Sequence, residues 1–241
     1  MPALNNFPDS FLLRELVTGV ASDFNSFVTG DDFTDTSADS GATIAMQDEV
    51  GGTVKLSSIA IDNNEVYLHS TKELFKFAAN KPLTAVCRLA FAQAATDDIN
   101  VIFGLADAVA ANHLQDNGAG PLASYSGATF FTVDGGTNWN VEASISTTQT
   151  TAELTAVNSL DKTAKVSASG ASTYQWLKIE SVPYSSTNHK LNYFINNAHV
   201  YSIDHVYTNA TEMMLFVGLK LGGATVENVL VDYLGCFQKR N

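Results

Sequence analysis

From about residue 31 onward, apolar positions come in short runs separated by clusters of Gly, Asn, Asp and Ser. In Leu191-Asn192-Tyr193-Phe194-Ile195 and in Leu215-Phe216-Val217-Gly218-Leu219-Lys220-Leu221 they recur at period two, the mark of half-buried strands. The pattern predicts strands over 41–47, 53–61, 65–68, 74–77, 83–92, 100–105, 129–133, 140–147, 174–182, 190–196, 198–203, 213–221 and 226–238. Asp62-Asn63-Asn64, Asp134-Gly135-Gly136, Asn196-Asn197 and Gly222-Gly223 lie between them, and such residues tolerate the left-handed backbone of tight reversals. Helical periodicity is weak beyond a turn or two over 107–114. No βαβ alternation and no repeat is evident, so the expected fold is all-β, a two-sheet antiparallel sandwich.

Residues 1–30 differ in character, and two parts are expected: an N-terminal arm over 1–30 and a sandwich over 31–241. Within the arm, residues 8–17 carry helical features, with Asp9 or Ser10 as a cap and a narrow apolar stripe including Phe11, Leu12 and Leu16. A stripe this short is not stable alone in water. It packs on its own domain or docks on a neighbouring subunit.

Composition sharpens the β reading. The polar load falls on 23 Thr, 20 Ser and 19 Asn, residues of strands and turns, while charged residues make up only 16%. With 45% apolar residues the chain is bound to fold. The formal net charge of −12 repels phosphate backbones and anionic lipid, so neither nucleic acid nor membrane is an expected partner. Cys87 and Cys236 sit in apolar stretches with no CxxC, which fits buried free thiols, one long-range disulfide being the alternative. No basic n-region precedes an apolar run near Met1, and no window reaches the length of a membrane span, so synthesis in a cytoplasm is expected.

Five stretches, in order, carry a resemblance: Phe103-Gly104-Leu105 with Asp107, Asp134-Gly135-Gly136-Thr137-Asn138-Trp139, Trp176-Leu177-Lys178-Ile179-Glu180, Phe194-Ile195-Asn196-Asn197, and Val231-Asp232-Tyr233. This succession resembles the concanavalin A-like or laminin G-like jelly roll, in particular its copies in tailed-phage structural proteins. The resemblance covers roughly residues 31–241. It implies a capsid decoration or cement protein on the outer surface of a virion, bound to the major capsid protein as a homo-oligomer, dimer or trimer. The apolar arm residues Phe7, Phe11, Leu12, Leu13 and Leu16 would then make the capsid or subunit contacts. The alternative is a carbohydrate-binding module on a fibre or capsid surface, with Trp139, Tyr125 and Tyr184, near predicted loops, as the candidate glycan contacts.

Retaining glucanases need carboxylates about 5–5.5 Å apart on one groove, hence at alternate strand positions. Here Asp31-Asp32, Asp48-Glu49 and Asp97-Asp98 are adjacent pairs, which mark turns. His69, His113, His189, His199 and His205 form no metal-binding i, i+4 pair and read as surface histidines, with His199 and His205 able to meet across a hairpin. No nucleophile elbow occurs. No catalytic residue, cofactor or metal is expected; a structural calcium ion near Asp97, Asp98, Asp107 or Asp116 stays unassigned.

Overall fold

The computed structural model describes residues 17–37, 40–48, 51–91, 99–133, 136, 138–155, 174–207 and 211–240. Among them are fifteen strands: β1 (Val17–Ser22), β2 (Phe33–Thr36), β3 (Thr43–Gln47), β4 (Thr53–Ser57), β5 (Glu65–Ser70), β6 (Leu83–Phe91), β7 (Ile99–Ala106), β8 (Gly127–Phe131), β9 (Asn140–Ile145), β10 (Thr148–Glu153), β11 (Gln175–Pro183), β12 (Asn188–Ile195), β13 (Ala198–Val206), β14 (Met214–Leu221) and β15 (Asn228–Lys239). They form an eight-stranded sheet, in the order β13-β12-β11-β6-β15-β4-β3 with β1 also on β15, and a seven-stranded sheet, β10-β9-β8-β7-β14-β5-β2. Every pairing is antiparallel. The result is the expected jelly-roll sandwich.

Alternation fixes which side chains fill it. Leu177, Ile179, Leu191, Tyr193 and Ile195 from one sheet meet Phe103, Phe130, Val141, Leu215 and Val217 from the other in one continuous core. Cys87 and Cys236 lie in this core as free thiols, and burial raises both above the ordinary thiol range. The Asn196-Asn197 reversal carries φ of 50° and 68°, the left-handed pair that a two-residue hairpin requires.

The structure departs from expectation at several places. β1 was not expected: it pairs with β15 over Val17↔Lys239 to Ser22↔Leu234, and Phe24 after it is wholly buried. Residues 17–24 therefore belong to the sandwich rather than to an arm, because the ladder with β15 holds them and Val20 and Phe24 join its core. Phe7, Phe11, Leu12, Leu13 and Leu16 lie outside the described residues. The strand expected over 74–77 is reduced to a bridge between Phe75 and Met213. The helical turns expected over 107–114 are a loop in which Asn112 adopts φ of 62°.

That loop has a purpose in packing. With residues up to Tyr125 it lies on the outer face of the seven-stranded sheet, where Val109, Leu114 and Tyr125 join Tyr67, Ile102, Phe131 and Phe216 in a second apolar cluster. β5 is consequently buried along its whole length.

Candidate functional site

The open surface is the outer face of the eight-stranded sheet. In β11, Leu177 and Ile179 point inward, so Trp176, Lys178, Glu180 and Val182 point out. The register sets Trp176 beside Arg88, and Arg88 beside Tyr233 on β15. It also sets Lys178 beside Phe194, and Lys190 beside Asp204.

At one end lies a compact aromatic and cationic group. The Trp176 and Tyr233 rings are 5.8 Å apart and tilted by 50°. The Arg88 guanidinium lies 4.4 Å from the Tyr174 ring centre and 5.9 Å from that of Trp176. Its Nη1 donates to Asp232 Oδ2 at 2.6 Å, and Asp232 lies where β15 bulges between Val231 and Tyr233. A Cβ at Gly235 would come within 2.8 Å of the Tyr233 hydroxyl, so glycine there lets the ring lie against the sheet. Burial, followed by the charge of Asp23, holds the Tyr233 phenol above its ordinary range, and it stays neutral. Next to Tyr233 opens a cavity of about 440 Å³ lined by Ser22, Asp23, Ser26, Phe27, Asp31 and Asp32 among others.

At the other end, roughly 20 Å along β11 at about 3.3 Å per residue, a cavity of about 470 Å³ is lined by Val182, Tyr184, Lys190, Asn192 and Asp204. Between the ends the charges cancel in pairs: Arg88–Asp232, Lys178–Glu180 at 2.7 Å and Lys190–Asp204 at 3.5 Å. Trp176, Val182, Tyr184, Val206 and Phe237 are exposed here. Across β11–β13 the paired charges balance, on a chain of net charge −12.

The expected glycan contacts divide. Tyr184 is exposed on this face, but Trp139 and Tyr125 are buried and cannot stack on a ligand. Trp139 is 0% exposed against 38% for Trp176, its ring edge-on to Phe91 and Phe130 and its Nε1 donating to Gln175 Oε1 at 3.1 Å. Tyr125 is held under its loop by Thr129 Oγ1 at 3.1 Å. The exposed tryptophan was missed, although its alternation with Leu177 and Ile179 places it outward.

The surface reading of the histidines is corrected as well. His69, His113, His189 and His205 are buried. His199 and His205 share β13, and it is His189 that lies opposite His205. Burial lowers His113, His189 and His205 to about 4, with His189 adding to the effect on His205. Ser181 Oγ and His189 Nδ1 are hydrogen-bonded, yet both residues are wholly buried, so the pair braces the β11–β12 hairpin and is shut off from substrate. Among the described residues no group of three His, Cys, Asp or Glu is arranged to hold a metal ion. Asp107 accepts the Ser126 N–H at 3.0 Å and Asp116 pairs with Lys220 at 2.6 Å, while Asp97 and Asp98 lie outside the described residues.

The two antiparallel sheets and their strand order define a jelly-roll sandwich of the concanavalin A-like fold. The chain is similar to the carbohydrate recognition domain of Emp47p, with a TM-score of 0.60, 10% identity, and coverage of 92% of this chain and 97% of that one. It is also similar to a legume lectin-like domain from Entamoeba histolytica (TM-score 0.53, 10% identity, 85% and 89% covered). A third likeness is to an endo-β-1,4-glucuronan lyase from the fungus Trichoderma reesei (TM-score 0.54, 9% identity, 88% and 90% covered). No protein-family model and no curated protein matches the chain. At these identities the likenesses establish the concanavalin A-like fold.

Proposed function

We propose that this chain is a non-catalytic binding module, and more specifically a decoration or cement protein on the outer capsid surface of a tailed phage. The observation that carries the proposal is the β11–β13 half of the open face, where exposed Val182, Tyr184 and Val206 surround ion-paired Lys190 and Asp204. A neutral patch with apolar anchors loses little solvation energy when it meets protein, unlike the acidic remainder of the molecule. The partner is the major capsid protein, and the arm residues Phe7, Phe11, Leu12, Leu13 and Leu16 add apolar contacts as the protein assembles as a dimer or trimer. The mechanism is mass action: a protein that binds only the assembled shell stabilises that shell.

The experiment is reconstitution on particles stripped of this protein. Wild type is expected to restore occupancy and raise the temperature of DNA release. Val182→Asp combined with Val206→Asp, or deletion of 1–16, is expected to reduce both. Full occupancy by both variants would refute the docking assignment.

Carbohydrate binding is the second reading. The exposed Trp176 ring and the half-buried Tyr233 ring beside it favour it, as does the likeness to lectin domains. A glycan array probed with the full chain tests it, and a silent array would remove it. Neither reading involves turnover, so no reducing sugar should be released from any polysaccharide.

A further inference from the structure

We infer that the corner where β1, β2 and β15 meet is a saccharide site for uncharged oligosaccharides, formed by the Trp176–Tyr233 ring pair and the acidic cavity behind Tyr233. The inference rests on the carbohydrate-binding reading and supplies its site and its ligand class. It leaves the β11–β13 half of the face free for a protein partner.

A sugar ring offers an apolar C–H face and a rim of hydroxyls, so a site for it needs an aromatic plane and hydrogen-bonding groups set around that plane. Both are present. The Trp176 and Tyr233 rings, 5.8 Å apart, form an angled plane on the solvent side of the sheet. Beyond Tyr233 the cavity of about 440 Å³ carries the carboxylates of Asp23, Asp31 and Asp32 and the hydroxyls of Ser22 and Ser26. That volume lies within the roughly 300–1,000 Å³ range of small-ligand pockets.

The plane is fixed before any ligand arrives. Arg88 stacks on Tyr174 and is tied to Asp232. The Trp176 N–H donates to Asn196 Oδ1 at 2.9 Å, which fastens the start of β11 to the Asn196-Asn197 turn. The cavity rim is braced too, since Thr71 donates its N–H to the Asp32 carbonyl at 2.9 Å and its hydroxyl to the Asp31 carbonyl at 2.7 Å. Groups held in place beforehand lose less freedom on binding.

Charge sets the ligand class. Three carboxylates line the cavity with no basic residue among them, and they are not grouped as metal ligands. They can accept hydrogen bonds from sugar hydroxyls, while a uronic acid or a sulfated sugar would bring like charge against them. The site therefore favours neutral sugars over acidic ones.

The test is calorimetric titration of the full chain with cello-, malto- and manno-oligosaccharides, set against oligoglucuronates of equal length. At least one neutral series should bind, and the oligoglucuronates at least tenfold more weakly. Trp176→Ala and Tyr233→Ala should each weaken the neutral ligand by about tenfold or more, in line with about 1.4 kcal/mol per decade, with melting temperature and circular dichroism retained. Asp31→Asn combined with Asp32→Asn should narrow the gap to oligoglucuronate. Neutral binding that survives both ring substitutions would overturn the site while leaving carbohydrate binding intact, and a preference for oligoglucuronate would overturn the ligand class. Silence in every titration and on the array would remove the reading and the inference together.

Discussion

The two sheets of this sandwich share a core and treat their outer faces in opposite ways. The seven-stranded sheet is roofed by the loop that follows β7, and beneath that roof it buries Lys220, 1% exposed, 3.5 Å from Glu65 and 2.6 Å from Asp116. Lys220 also donates to Asn112 Oδ1 at 2.8 Å and the Leu114 carbonyl at 3.1 Å, while Glu65 accepts from the Tyr67 hydroxyl and the Asn112 N–H. The eight-stranded sheet leaves Lys178–Glu180 partly and Lys190–Asp204 largely open to water. Similar ion pairs thus do different work. Under the roof, each charge needs all its partners, and the loop is fixed in place by their geometry. On the open face the pairs hold little energy and serve to make the surface neutral.

The largest test of this contrast is removal of the buried cation. Lys220→Met strands Glu65 and is expected to cost about 3–5 kcal/mol in urea unfolding; a cost below that of an exposed pair would mean the roof is not held by this network. Trp139→Ala should cost a similar ~3–5 kcal/mol through the cavity it leaves in the core.

Acid comes next. His113, His189 and His205 have folded-state values near 4, below the roughly 6.5 of an unfolded histidine, so the unfolded chain binds more protons between those values. Their contribution is complete above about pH 6.5 and is lost as pH falls toward 4. His113 sits under the roof between Tyr67, Tyr125 and Phe216. His113→Phe should flatten the acid limb of the stability curve by roughly 2–3 kcal/mol at pH 4. Melting temperatures from pH 7 to 4 decide the matter.

The smallest effects belong to the open face. Lys178→Ala and Trp176→Ala are each expected to change stability by less than about 1 kcal/mol. A larger loss from Trp176→Ala would show that the ring supports the fold instead of waiting for a ligand.

Much of the fold could be read from alternation, and the site only in part. The β12–β13 hairpin follows from Leu191, Tyr193, Ile195 and the Asn pair, and the same parity places His189 inward, a signal that the general preference of histidine for surfaces obscured. Trp139 lies between a turn and a strand, where no periodicity constrains it, so its burial depends on the opposite sheet. β5 looks half-buried in sequence because Glu65, Tyr67 and His69 alternate with Val66 and Leu68. What covers its polar side is a loop some forty residues later, and no local pattern encodes that. The ring pair at Trp176 and Tyr233 joins strands nearly sixty residues apart through a bulge, which makes it a property of register alone.

The pairing of β1 with the final half of β15 also has a mechanical side. Val17 and Lys239 are register partners, so the chain enters and leaves the sandwich at one point. A load applied between those two ends would open the ladder one hydrogen bond at a time, in the weak, unzipping direction. A load between residue 17 and the far β11–β13 face would instead shear the β1–β15 ladder along its length, with its six residue pairs resisting together. A chain held at residue 17 and strained across the sheet would thus be loaded along its strong axis.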